Sequence, residues 1–348
     1  MLNITQFILV SVVKIVLATG LLLTAVAYTV WLERKLVGHI QNRWGPTRVG
    51  PFGLLQPLAD GMKFIFKEDL TPPHVNKPLY VAAPMISLVF ALSSIAVIPV
   101  GGWVQVAGLR TPLEITDVNI GLLIILGITS LGVYGVALAG WSSNSKYSLL
   151  GGLRASAQMV SYEIALGLSL VGVLILAGSF NLREIVDAQS GAFWGVIPRW
   201  NIFRWPPQIV GFLIYLTAAY AETNRLPFDL PEAETELVAG YHTEYSAMKF
   251  AMFFMAEYAN MITVACLASL LFLGGWHGPV AGPTVVREVL PVVWFGLRVF
   301  GFLFLYIWVR GTLPRVRYDQ LMAFGWKVLL PLAIVNVIVT ALIVALRS

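Results

Sequence analysis

The chain has 348 residues, of which 58% are hydrophobic and only 12% charged, with a net charge of +5 and a mean hydropathy of +0.79. A soluble fold of this length would expose too much apolar surface, so repeated apolar runs of about 20 residues mean a polytopic membrane protein. The basic residues sit beside apolar spans, which argues against a nucleic-acid partner. Cys266 is the single cysteine, and all four histidines (His39, His74, His242, His277) fall outside the apolar runs. Disulfides, cysteine-ligated iron–sulfur or zinc sites and a bis-histidine haem are therefore not expected. A glycine-rich phosphate loop is also missing from the sequence.

The first predicted span is 7–32. It has no basic leader and no small-residue cleavage site, so it reads as a retained span. Lys14 lies near its start and is expected to snorkel to the interface. The connection 33–78 carries seven Lys/Arg. Within it Leu54, Leu55, Leu58, Met62, Ile65 and Phe66 recur at helical spacing, with Asp60, Lys63 and Lys67 on the other side. That pattern predicts a short amphipathic helix, either on the membrane surface or packed on the bundle.

Further spans are predicted at about 79–100, 119–141, 156–177, 206–222, 248–273, 289–309 and 324–345, making eight in one all-α transmembrane domain over residues 1–348. Most Lys/Arg fall in the connections after the first, third, fifth and seventh spans. These are then cytoplasmic, with both termini outside.

The stretch 221–249 is the most unusual. It holds six of the 18 acidic residues: Glu222, Asp229, Glu232, Glu234, Glu236 and Glu244. Pro227 and Pro231 bracket Asp229 and prevent one continuous helix. A solvated acidic loop and a proton-handling carboxylate cluster are both open readings of this stretch alone. Glu163 and Glu257 lie inside apolar spans, Glu222 closes one, and Arg298 lies in another. Ionisable residues at such depth are costly and tend to face protein or water. Tyr162 and Tyr258 flank two of the glutamates and are suited to extending a hydrogen-bonded relay.

Four blocks carry a family likeness. ERKLVGHIQNRWGPTRVGPFGLLQPLADGMKFIFKED at 33–69, GWSSNSKYSLLGGLRASAQMVSYE at 140–163, AETNRLPFDLPEAETELVAGYHTEYS at 221–246 (with FFMAEY at 253–258) and RGTLPRVRYDQLMAFGWK at 310–327 resemble, in order, the four cytoplasmic connections of the H subunit of respiratory complex I. That complex is the proton-pumping NADH:quinone oxidoreductase, and the family includes its mitochondrial subunit 1. The resemblance implies a subunit of a translocase in the bacterial inner membrane, surrounded by lipid and docked to other membrane and peripheral subunits. Quinone would be a substrate; FMN and iron–sulfur clusters would belong only to those partner subunits.

The same likeness implies a quinone tunnel at Arg34, Arg43, Asp60, Lys63, Arg225 and Phe228. It implies proton-linked roles for Glu163, Glu222, Glu232, Glu234 and Glu257, beside Glu236 of the same acidic cluster and the neighbouring Tyr162. One departure is Arg298, where the family often has Lys; Arg holds its charge more firmly. A stand-alone proton or cation transporter is the competing reading. Buried glutamates and broken helices suit it, but the sequence shows no internal repeat and has large loops fit for docking. The equivalent subunit of a membrane hydrogenase is a nearer variant.

Overall fold

A computed structural model describes residues 4–106, 109–193, 197–204, 208–229, 238–279 and 284–347. The expected acidic residues Glu232, Glu234 and Glu236 lie outside the described residues. The rest is a helical bundle with seven helices long and apolar enough to cross a membrane among the described residues, plus one shorter apolar helix.

Helix α1 (Ile4–Ile40) has 37 residues, about 55 Å at 1.5 Å per residue, which exceeds a ~30 Å hydrocarbon core. Sequence reading ends the span at Glu33, but the helix continues to Ile40 and carries Glu33-Arg34-Lys35 on its last turns. It stops where Asn42 turns left-handed, at φ 56°, a conformation Asn tolerates. Helix α2 (Gln56–Phe66) falls within the stretch of helical spacing in the first connection and is opened by a proline in its first turn; none of its residues is buried within the chain. Leu58, Ile65 and Phe66 are exposed.

Helix α3 (Lys77–Ser93) runs into a 3₁₀ turn at Ser94–Val97. Helix α4 (Gly121–Ser142) follows, then α5 (Lys146–Ala177), which Gly178 closes at φ 69°. The predicted span began at 156 because the Gly/Ser-rich start reads as loop. It is helical because its glycines are packing surfaces. A Cβ on Gly152 would come within 3.0 Å of the Gly140 Cα, and one on Gly151 within 2.6 Å of the Gly240 Cα. In lipid, backbones at such approach gain dispersion contact that larger side chains prevent.

The short helix α6 (Leu182–Asp187) is capped by the Asn181 side chain, which accepts from the Arg183 and Glu184 backbone N–H groups. Helix α7 (Ile209–Glu222) has 14 residues, about 21 Å, too short to cross alone. Helices α8 (Ala247–Phe272) and α9 (Thr284–Thr312) follow. The last, α10 (Tyr318–Ala345), contains a π-helical segment at Gly325–Leu329.

Helix α8 is the centre of the bundle, with α1, α3, α7 and α9 packed around it. Its run of Ala, Ser and Thr between larger residues lets neighbours close in; Ala259, Ala265, Ala268 and Ser269 are all at most 1% exposed. The all-α expectation needs a small correction. Two antiparallel hairpins join helices on the face opposite α2: β1 (Trp103–Val106) with β2 (Leu109–Pro112), and β3 (Ala192–Phe193) with β4 (Ile197–Pro198). Each strand has only two to four residues, a signal too short for hydropathy to register.

This face is tied by polar clamps. Lys14 reaches the end of its span and donates to the Pro112 and Glu114 carbonyls at 2.9 and 3.1 Å. Arg183 pairs with Glu114 at 2.6 Å. Burial pushes the Glu114 carboxyl above its usual range, while the Arg183 charge pulls the other way. Arg298 donates to the Gly275 and His277 carbonyls and lies over the Trp200 ring at 4.9 Å. Its role here is to hold the turn after α8.

Candidate functional site

Two cavities and a chain of charges connect six of the long helices, α1, α3, α4, α5, α8 and α9. The larger cavity, about 550 Å³, lies between α1, α2 and α8. Its apolar part is walled by Val26 and Val30 of α1, Phe64 and Ile65 of α2, and Phe250 and Phe254 of α8; Glu33, Arg34, Asp60, Tyr258 and Arg310 supply polar groups. The amphipathic pattern of α2 explains its place. It has an apolar face for the cavity and a charged residue, Asp60, that meets α1. There Arg34 Nη1 donates to Asp60 Oδ2 at 2.6 Å, and Gln56 Nε2 donates to Asp60 Oδ1 at 2.9 Å.

Behind the polar part lies a buried charge chain. Glu33, 7% exposed, accepts from Tyr258 Oη at 2.8 Å, from Arg225 Nη1 at 3.3 Å and from Arg310. Arg225 Nε then pairs with Glu257 Oε1 at 2.7 Å, and the Arg225 guanidinium lies 4.1 Å from the Tyr258 ring. The order Arg310–Glu33–Arg225–Glu257 alternates sign. Charges removed from water are tolerated only when each meets its opposite at hydrogen-bond distance. Arg225 enters because α7 ends at Glu222 and Asn224 turns the chain at φ 49°. Gln158 of α5 fixes that turn, its amide donating to the Ala221 carbonyl, Asn224 Oδ1 and the Phe228 carbonyl at 2.8, 3.1 and 2.9 Å.

On the far side of Glu257 is the second cavity, about 40 Å³, whose lining includes Glu222, Asn224, Glu257, Asn260 and Ser87. That volume and its polar lining suit a few water molecules. Glu163 of α5 is close enough for its charge to act on Glu222, and Ser130 of α4 donates to Glu163 Oε1. Beside it, Tyr162 donates to the Leu321 carbonyl at 2.8 Å, its ring stacked 6.2 Å from that of Phe228.

The predicted residues thus separate. Arg34 and Asp60 line the large cavity, whereas Arg225 belongs to the charge chain. Phe228 packs on Tyr162, away from the cavity wall. Lys63 is 76% exposed, 3.9 Å from Asp60. Arg43 Nε donates to Gln41 Oε1 at 2.8 Å on the exposed turn after α1. Glu222 and Glu257 share the small cavity, and Glu163 adjoins it. Sequence reading missed Glu33, Arg310, Ser130, Gln158 and Asn260. By hydropathy alone, Glu33 and Arg310 read as the charged ends of spans. The available signal was helical phase: Glu33 and Val26 lie two turns apart and share one face of α1.

Comparison with known proteins places this architecture. The family model described as NADH dehydrogenase matches residues 13–341. The chain is 70% identical to H subunit 2 of the NADH-quinone oxidoreductase of Koribacter versatilis, over 99% of both chains. It is 49% identical to H subunit 1 of the Solibacter usitatus enzyme, over 98% of both. It is 50% identical to H subunit 1 of the Geobacter sulfurreducens enzyme, over 97% of this chain and 95% of that one. This similarity over nearly the whole chain assigns it to the NADH dehydrogenase family, as a member of the group formed by the H subunits of the enzyme NADH-quinone oxidoreductase.

Proposed function

We propose that this subunit admits quinone from the bilayer through the large cavity and passes the charge change of its reduction to the buried glutamates. One observation carries the reading: an apolar cavity of about 550 Å³ abuts Arg34, Asp60 and Glu33, and Glu33 heads a charge chain reaching Glu257. An isoprenoid tail matches the apolar walls, and a quinone oxygen can accept from Arg34 or Tyr258. Reduction to quinol takes up two electrons and two protons. The electrons come from a redox group of a neighbouring subunit. Proton uptake near Glu33 changes the balance of the alternating chain, and Glu257, Glu222 and Glu163 respond through their protonation. Arg43 and Lys63 are assigned to the quinone's path and Glu232, Glu234 and Glu236 to proton coupling, as the family resemblance implies. The relatives are each named as a subunit, which favours this reading over a transporter acting alone.

Filling the cavity tests it. Ala27→Trp, on the α1 wall, is expected to lower NADH-driven quinone reduction by roughly tenfold or more in the assembled complex, ~1.4 kcal/mol of barrier. NADH oxidation by an artificial acceptor upstream of quinone should be unchanged. Equal loss of both activities, or of neither, would remove the cavity from the quinone's path.

The accompanying topology has eight crossings, with α7 and its flanks as the fifth, α2 on the cytoplasmic surface and both termini periplasmic, in a bacterial inner membrane. Cysteines placed singly at Glu184 and Asp187, both exposed near the hairpins, are expected to react with a membrane-impermeant maleimide in spheroplasts. Labelling only after the membrane is breached would invert the orientation.

A further inference from the structure

The large cavity has one weakly held wall. Helix α2 buries none of its residues within the chain, yet it supplies Phe64 and Ile65 opposite Phe250 of α8, with the two phenyl rings 6.4 Å apart. A helix with so little burial is positioned by its ties to the rest of the chain. Its middle is fixed to α1 by the Arg34–Asp60 pair. Its C-terminal end leads into residues 67–76, which return to α3.

That return segment is clipped to the first turn of α8. Lys249 Nζ pairs with Asp69 Oδ2 at 2.9 Å and donates to Thr71 Oγ1 at 2.8 Å. The ammonium also lies 5.1 Å from the ring of Tyr80. Next to it Ser246 Oγ accepts from the Leu70 backbone N–H at 3.1 Å. The Lys249 side chain is 12% exposed, so its charge depends on these partners rather than on water. Tyr80 is itself held, donating from its hydroxyl to the Glu244 carbonyl at 2.6 Å and stacking on Tyr245 at 4.1 Å. The platform under the ammonium is therefore fixed.

The two neighbours of Lys249 in sequence, Met248 and Phe250, both line the cavity. A single turn of α8 thus forms one wall and holds the segment that ends the facing wall. We infer that Lys249 is a positioning residue: with Asp69 and Thr71 it sets the separation of α2 from α8, and so the fit of the cavity to an apolar chain. This rests on the proposal that the cavity takes quinone. The clip lies beyond Phe66, next to the apolar part, while the middle of α2 keeps its own tie to α1 through Asp60. The clip therefore governs contact with the tail rather than the head.

The test measures quinone KM and kcat in the assembled complex, with a long-tailed quinone and a short-tailed analogue. Lys249→Met and Asp69→Asn are expected to raise the KM of the long-tailed quinone about three- to tenfold, the span of a typical net hydrogen bond. The kcat and the short-tailed KM should stay within about twofold. Lys249→Asp combined with Asp69→Lys should recover part of the loss. Asp69 is about half exposed, so Asp69→Asn decides the matter if the Lys249 variants fail to assemble. An unchanged long-tailed KM, or an equal effect on both quinones, overturns the inference while leaving the cavity reading intact, provided Ala27→Trp blocks reduction. If Ala27→Trp has no effect, the cavity reading falls and the inference falls with it.

Discussion

Glu33→Gln is expected to remove nearly all quinone reduction from the assembled complex, a loss of about a hundredfold or ~2.7 kcal/mol of barrier. Among the described residues, Glu33 is the carboxylate that joins Arg225 to Arg310. A neutral amide there leaves the buried Arg225 and the part-exposed Arg310 with one carboxylate fewer, and breaking a buried ion pair costs about 3–5 kcal/mol. The chain can relieve that cost only by moving Arg225, which also lies against Tyr258 and Glu257. Glu33→Asp keeps the charge but retracts it by one methylene, and should retain more activity. A double substitution is the sharper measurement. Glu33→Gln with Arg310→Gln restores the balance of charge, so the pair should be less harmful than the two single effects added together. Full activity in an assembled Glu33→Gln complex would show that the alternating chain is structural only.

Glu163→Gln is expected to spare assembly and slow coupled turnover by roughly tenfold or more. Gln matches Glu in shape and still accepts the hydrogen bond from Ser130, but it cannot bind and lose a proton. Because quinone reduction and proton movement are coupled in this reading, both should fall together. Glu163→Asp retains a titratable group and should keep more activity. Ser130→Ala removes one hydrogen bond, about 0.5–1.5 kcal/mol, and should have a smaller effect. Glu244→Gln, beside His74 at the far end of the third connection, should matter less still. NADH-driven reduction and proton uptake are measured together in vesicles and normalised to assembled complex. Undiminished pumping by Glu163→Gln would move the relay to Glu222 and Glu257, or out of this subunit.

The two variants probe opposite ends of the proposed path, and sequence reading treats those ends very differently. Glu163 stands out in any hydropathy trace, as a carboxylate in the middle of an apolar run. Glu33 does not. It falls where the run gives way to Glu-Arg-Lys, and a charged triplet at that place reads as the end of a span. Its burial arises because α1 carries on as a helix and because Arg225 and Arg310 arrive from 192 and 277 residues away. Ser130 and Asn260 are hidden for a similar reason, since a single hydroxyl or amide in a span is ordinary until a carboxylate packs against it.

Hydropathy and Lys/Arg placement are local sums over neighbouring residues. The sequence by itself therefore determined the membrane class, seven of the long apolar helices and the carboxylates that fall within apolar runs. The four polar blocks determined the family likeness. Packing decided the rest. It made a helix of the Gly/Ser-rich start of α5, because Gly151 and Gly152 meet Gly240 and Gly140. It left α7 at 14 residues so that Asn224 could turn Arg225 into the bundle. It set Lys249 over Tyr80. Ion pairs of this kind join residues remote in the chain, and their energies depend on distance and burial, which no window of sequence contains.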